Sequence, residues 1–125
     1  MNCTDIQIND WVYLSEKSYP MRVSSIDIDH CCLDFEGNEG DPFDGIYGED
    51  GIAPIPLTAE MMELNYGEYG WITWHWANDS IRVTMSVAGD FGVMVMSGDF
   101  RFVHELQHAL RLCGCNDKAD DFKIK

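Results

Sequence analysis

Between residues 80 and 87, Ser-Ile-Arg-Val-Thr-Met-Ser-Val, every second side chain is apolar. A period of two places Ile81, Val83, Met85 and Val87 on one face of a strand and Arg82, Thr84 and Ser86 on the other. The flanking stretches carry the same signal. In Gly-Trp-Ile-Thr-Trp-His-Trp (70–76), Ile72, Trp74 and Trp76 oppose Trp71, Thr73 and His75, and Phe-Gly-Val-Met-Val-Met-Ser (91–97) forms a third run. Asn78-Asp79 and Gly89-Asp90 punctuate them as turns. The three runs predict an antiparallel meander with one packed face and one wet face.

The N-terminal part reads as shorter strands. Ile-Gln-Ile-Asn-Asp-Trp-Val-Tyr-Leu (6–14) breaks at Asn9-Asp10. In Pro20–Ile28, Met21, Val23, Ile26 and Ile28 alternate with polar residues, with a phase shift at Ser24-Ser25; Cys31–Phe35 follows a turn at Asp29-His30. Together these resemble the opening strands of a small SH3-like barrel. Pro54 and Pro56 then keep the chain extended, and Thr58 caps a short helix with Glu60 in its first turn. Leu57, Met61, Met62 and Leu64 supply its apolar face, and Asn65 or Gly67 ends it.

A second helix is predicted over residues 100–113, from an N-cap at Asp99 to a stop at Gly114. At about 100° per residue, Phe102, Val103, Leu106, Ala109, Leu110 and Cys113 form one stripe, with His104, His108 and Arg111 opposite. With the stripe on the sheet, both imidazoles face solvent. The expected architecture is therefore α+β: SH3-like N-terminal strands and a three-stranded meander, with a short helix and a C-terminal amphipathic helix packed on the sheet. One domain is expected over residues 1–125, with a flexible acidic loop at 36–51 and a C-terminal tail at 116–125.

The same helix spells His104-Glu105-Leu106-Gln107-His108, the H-E-x-x-H pattern of zinc hydrolases. Histidines four apart share a helical face and can reach one metal, and the intervening glutamate can activate its bound water. A catalytic zinc also needs a third protein ligand. The extended form of the pattern calls for glycine and histidine where this chain has Arg111 and Gly114, and a guanidinium there opposes a dication. Asp117, Asp120 and Asp121 follow in the expected tail. The preferred reading is a surface histidine pair and no cofactor. Zinc on His104 and His108, with Glu105 as base, is the alternative.

Charge narrows the partners. The chain has 22 acidic and 8 basic side chains, for a formal net charge of −14. Such a balance repels nucleic-acid phosphates and anionic lipid. It also argues against base stacking on Trp71–Trp76, whose aromatics read as core or partner-facing. Loop 36–51 holds no basic residue. An EF-hand register starting at Asp34 puts Glu39 where glycine belongs and Gly45 where glutamate belongs, so that template fails.

Cys3, Cys31, Cys32, Cys113 and Cys115 are odd in number, with Cys31 and Cys32 adjacent, which fits reduced thiols in a cytoplasm. Their spacing is a poor match to structural zinc knuckles, and small buried hydrophobes are the plainer reading. No stretch has the apolar length of a membrane span, and the N-terminus lacks the basic-then-apolar order of a secretory leader.

Pro-Ile-Pro-Leu-Thr (54–58), the Trp-rich hairpins and Val-His-Glu-Leu-Gln (103–107) together resemble a family of small uncharacterised proteins of Bacteroidetes and of their phages and prophages. The likeness runs from about Ile6 to Gly114, and Ile6–Val12 is similar to that family's opening strand. No established activity comes with the resemblance, so it transfers no catalytic residue. Its pattern often has glutamine at the position of Glu105 and asparagine at that of His108, which implies a fold that does not depend on zinc.

The expected function is a non-catalytic, acidic binding protein of a phage or mobile element. It would act in the cytoplasm of a bacterial host, with a protein partner and with no membrane or nucleic-acid target; one version is interference with a host protein. Asp41, Asp44, Glu49, Asp50, Tyr69 and Trp71 are the candidate partner-binding residues. The zinc-dependent hydrolase and a virion or assembly component are the alternatives, and the oligomeric state stays open.

Overall fold

The computed structural model describes residues 5–14, 19–27, 32–36, 52–67, 72–89 and 92–124. The fold is α+β: the described residues form two antiparallel sheets, of four and three strands, and three short helices. The chain divides into two compact units, Met1–Ile55 and Pro56–Lys125.

The first unit holds β1 (Trp11–Leu14), β2 (Tyr19–Asp27), β3 (Cys32–Phe35) and β4 (Ile52–Pro54), in the sheet order β3-β2-β1-β4. The break at Asn9-Asp10 is a turn. Asn9 takes the left-handed conformation (φ 72), and the buried Asp10 carboxylate accepts the Gln7 N–H at 2.8 Å. The phase shift at the serine pair is a β-bulge. Val23 pairs with Phe35, but Ser25 pairs with Asp34 and Ile26 with Leu33, so Ser24 is the extra residue. That insertion returns Ile26 to the face of Val23. Strict alternation would have turned it outward.

Val12, Val23, Leu33, Phe35, Ile52 and Ile6 form the core of this sheet, with Met21 and Ile26 packed against it. The extended Pro54 segment proves to be a fourth strand. Among the described residues β4 pairs only with β1, which puts its proline on the edge of the described sheet, where a missing N–H costs least.

The second unit contains α1 (Ala59–Tyr66), the meander β5 (Ile72–Ala77), β6 (Ser80–Gly89) and β7 (Gly92–Phe100), then α2 (Val103–Leu112) and α3 (Asn116–Asp120). Ile81, Val83 and Met85 are buried while Arg82 and Ser86 are exposed, as the period-two pattern demands. β5 and β6 meet through a two-residue loop with Asn78 in the left-handed region (φ 63). β6 and β7 pair down to Gly89 opposite Gly92. The packed side of the meander thus runs in cross-strand rows: Trp76, Ile81 and Phe100; Trp74, Val83 and Gly98; Ile72, Met85 and Met96.

Thr58 caps α1 as expected, its Oγ1 accepting the Met61 N–H at 3.2 Å. The apolar face differs. Met61, Met62 and Tyr66 are buried, whereas Leu64, on the opposite side of the helix, is exposed. Asn65 does not end the helix. Its amide accepts the Lys123 N–H at 2.7 Å and donates to the Lys123 and Met61 carbonyls at 2.9 and 2.8 Å.

The segment expected as a tail is folded through residue 124. It contains α3, with Ala119 and Phe122 buried, and the Phe122 ring lies 6.1 Å from that of Tyr66. The isolated apolar pair Ala119 and Phe122 is too sparse for a periodic signal, and only the tertiary partners make it core.

Candidate functional site

The H-E-x-x-H helix begins three residues later than its pattern suggests. Asp99 is not the N-cap. It ends the outward row of the meander opposite Arg82, in a two-pronged ion pair of 2.8 and 3.0 Å. The Arg82 guanidinium, donating hydrogen bonds, holds the Asp99 carboxyl below the usual carboxylate range; Asp99 in turn raises Arg82. The cap position falls to Phe102, whose backbone is extended and whose side chain has no acceptor.

Glu105 supplies what Phe102 lacks. It is the third residue of α2, and its Oε1 accepts the N–H of Phe102 at 3.0 Å and of Arg101 at 2.9 Å. This is the carboxylate half of a capping box, placed where the helix dipole favours negative charge. The central letter of the motif therefore has a folding role. A glutamine could accept the same two bonds.

His104 and His108 are half-buried, not turned wholly to solvent. The His104 ring stacks on Phe102, with centroids 6.0 Å apart, and meets the edge of His108 at 5.5 Å. Phe102 is incompletely buried itself, so it shelters the first imidazole at the helix start. Arg111, on the histidine side, reaches Asp120 of α3 at 3.6 Å, which ties up one of the acids downstream of the motif. Among the described residues, no three histidine, cysteine or acidic side chains gather as a metal site.

The apolar stripe of α2 is Val103, Leu106 and Leu110, all fully buried, and Gln107 joins them. Its Nε2 donates to the Ala119 carbonyl at 3.0 Å, which satisfies the amide and fastens α3 to α2. Its angular position, about 40° from Val103 at 100° per residue, was the available signal. The helix stops where expected. Gly114 is left-handed (φ 79), its N–H reaches the Arg111 carbonyl and that of Cys115 reaches Leu110, which is a Schellman turn.

That turn brings Cys113 and Cys115 to one end of the helix as free thiols. Burial, and then the nearby Cys115, push the Cys113 thiol up. Burial likewise raises the Tyr66 phenol, with Cys115 adding to it.

The outward face of the meander carries Thr73, Thr84 and Ser97 in one cross-strand row and His75, Arg82 and Asp99 in the next. Val95 is exposed on this face at 65%, and Trp76, at the turn end of the opposite face, is exposed at 59%. Asp41, Asp44, Glu49, Asp50, Tyr69 and Trp71 lie outside the described residues, as do Cys3 and Cys31. No described helix is long and apolar enough to cross a membrane. Comparison with protein-family models, with curated proteins and with solved structures found no match.

Proposed function

We propose that the chain is a non-catalytic interaction protein that docks on a basic protein surface. The observation that carries the non-catalytic part is the engagement of Glu105. Its carboxylate holds two backbone N–H groups at the start of α2, which accounts for a glutamate at this position without any metal-bound water. The formal charge of −14 supports a basic partner, because complementary fields steer encounter and suppress binding to polyanions. Asp41, Asp44, Glu49, Asp50, Tyr69 and Trp71 are the partner-binding residues of this reading, the carboxylates steering encounter with a basic surface and the aromatics serving as anchor side chains.

The likeness of residues 54–58 and 103–107 to small proteins of Bacteroidetes and their phages supports a setting in a phage or mobile element, with a host protein as target. The competing zinc-hydrolase reading rests on the spacing of His104, Glu105 and His108 and would require Glu105 to release both N–H groups and a third ligand to be recruited.

Affinity capture from a bacterial host, comparing the native chain with an Asp41→Asn, Asp44→Asn, Glu49→Gln, Asp50→Asn variant, tests the proposal. The expected result is a partner that the native chain retains, the variant loses, and rising salt releases. Equal capture by both chains, or capture insensitive to salt, would remove these carboxylates from consideration.

A further inference from the structure

Sulfur from two elements converges at the carbonyl end of α2. Cys113 follows the last helical residue, and its Sγ lies 2.9 Å from Sδ of Met96, on the packed side of β7. The left-handed Gly114 reverses the chain and returns Cys115, whose Sγ sits 4.0 Å from the Cys113 carbonyl oxygen. Neither cysteine is in a disulfide, and both are half-buried.

We propose that Met96, Cys113 and Cys115 form a three-sulfur site for Cu(I). The donor set chooses the metal. Thiolate and thioether are soft ligands that suit Cu(I), whereas structural zinc sites take four cysteine, histidine or carboxylate ligands and thioether is not among them. Binding requires no redox step. Cu(I) gains two bonds to thiolate and one to thioether, and two S–H protons leave to solvent. The resulting site carries one net negative charge.

Two features of the fold favour that exchange. The helix dipole presents its negative end to the cation. The Schellman turn fixes the approach of Cys115, so little chain order remains to be gained on binding. The register of β7, with Met96 opposite the buried Met85, puts it on the packed side, and the tertiary fold carries it to the Cys113 thiol.

The test is anaerobic titration of the full chain with Cu(I) against a chromophoric Cu(I) chelator. It uses a Cys3→Ser, Cys31→Ser, Cys32→Ser background that removes the three other thiols of the five. The expected result is one Cu(I) per chain, lost in Cys113→Ser and in Cys115→Ser. Met96→Leu conserves volume and keeps the packing, so its effect isolates the thioether. Losing a direct ligand is expected to weaken binding by more than the roughly 10- to 100-fold typical of an outer-shell partner.

Circular dichroism of each variant checks that the fold persists. If the triple background unfolds, the single variants are made in the native chain, where each should remove one equivalent from the total. Retention unchanged in Cys113→Ser, affinity unmoved by Met96→Leu, or zinc held as tightly by the same residues would each overturn the assignment.

Discussion

Replacing Glu105 separates a capping carboxylate from a catalytic one. Alanine removes both acceptor contacts at the start of α2, at Phe102 and Arg101, and leaves those N–H groups to water. Loss of an N-terminal cap costs about 1 kcal/mol, with a range of roughly 0.5–2. Loss of the negative charge beside the helix terminus adds about 0.3–1 kcal/mol. Because Glu105 is partly exposed, Glu105→Ala should destabilise the second unit by about 1–2 kcal/mol. Glu105→Gln keeps the acceptor and loses only the charge, so it should cost about 0.3–1 kcal/mol.

Urea unfolding reads the difference. With m near 1–3 kcal/mol/M, the alanine variant should shift the midpoint down by roughly 0.3–2 M at unchanged slope. A Trp11→Phe background leaves Trp71, Trp74 and Trp76 as fluorescent reporters, all within Pro56–Lys125. Native stability in the alanine variant, or a glutamine variant as unstable as alanine, would refute the capping argument. It would also reopen a chemical role for Glu105.

Gly114→Ala should cost about 1–2 kcal/mol, the penalty for a side chain in left-handed backbone; nothing lies within 4 Å of the added Cβ, so a larger loss in thermal unfolding would contradict the geometry. Leu110→Ala, at a fully buried site, should lose about 2–5 kcal/mol, while Leu112→Ala, at 84% exposure, should stay within about 0.5 kcal/mol of native. Asn65→Ala should speed hydrogen exchange at the Lys123 amide and loosen the chain beyond α3, and unchanged exchange would argue against the clamp. Asp99 should titrate below an ordinary aspartate by NMR and move up in Arg82→Ala. Its folded pKa is depressed, so its contribution is present at neutral pH and is lost as pH falls through the acid range; a titration unmoved by the substitution would exclude Arg82 as the cause.

Local chemistry was legible from the chain wherever one residue or one period decides the conformation. Alternation gave the inward set Ile81, Val83 and Met85, because a strand has only two faces. Thr58 and Gly114 marked helix ends, because a hydroxyl cap and a left-handed residue act within one turn. The serine pair announced its bulge for the same reason. The start of α2 was misplaced, since Asp99 is as good a cap by type as any. Only the pairing of β7 with β6 shows that it belongs to a strand, opposite Arg82. Leu64 and Tyr66 exchanged roles because the side of α1 that becomes covered depends on what packs there.

The motif itself divides the same way. Histidines at 104 and 108 had to share a helical face once a helix was granted, whatever the rest of the chain does. Whether Glu105 faces a metal or its own helix terminus, and whether Met96 meets Cys113, depends on where β7 ends and how α2 leaves it. The Met96–Cys113 contact joins residues 17 apart, which no periodicity links, while the Glu105 cap is local and follows only once the start of α2 is placed. The sequence alone thus determined the elements and most of their buried faces, which short-range sterics and burial dictate. The tertiary structure alone decided which polar and sulfur atoms meet, because that depends on non-local packing.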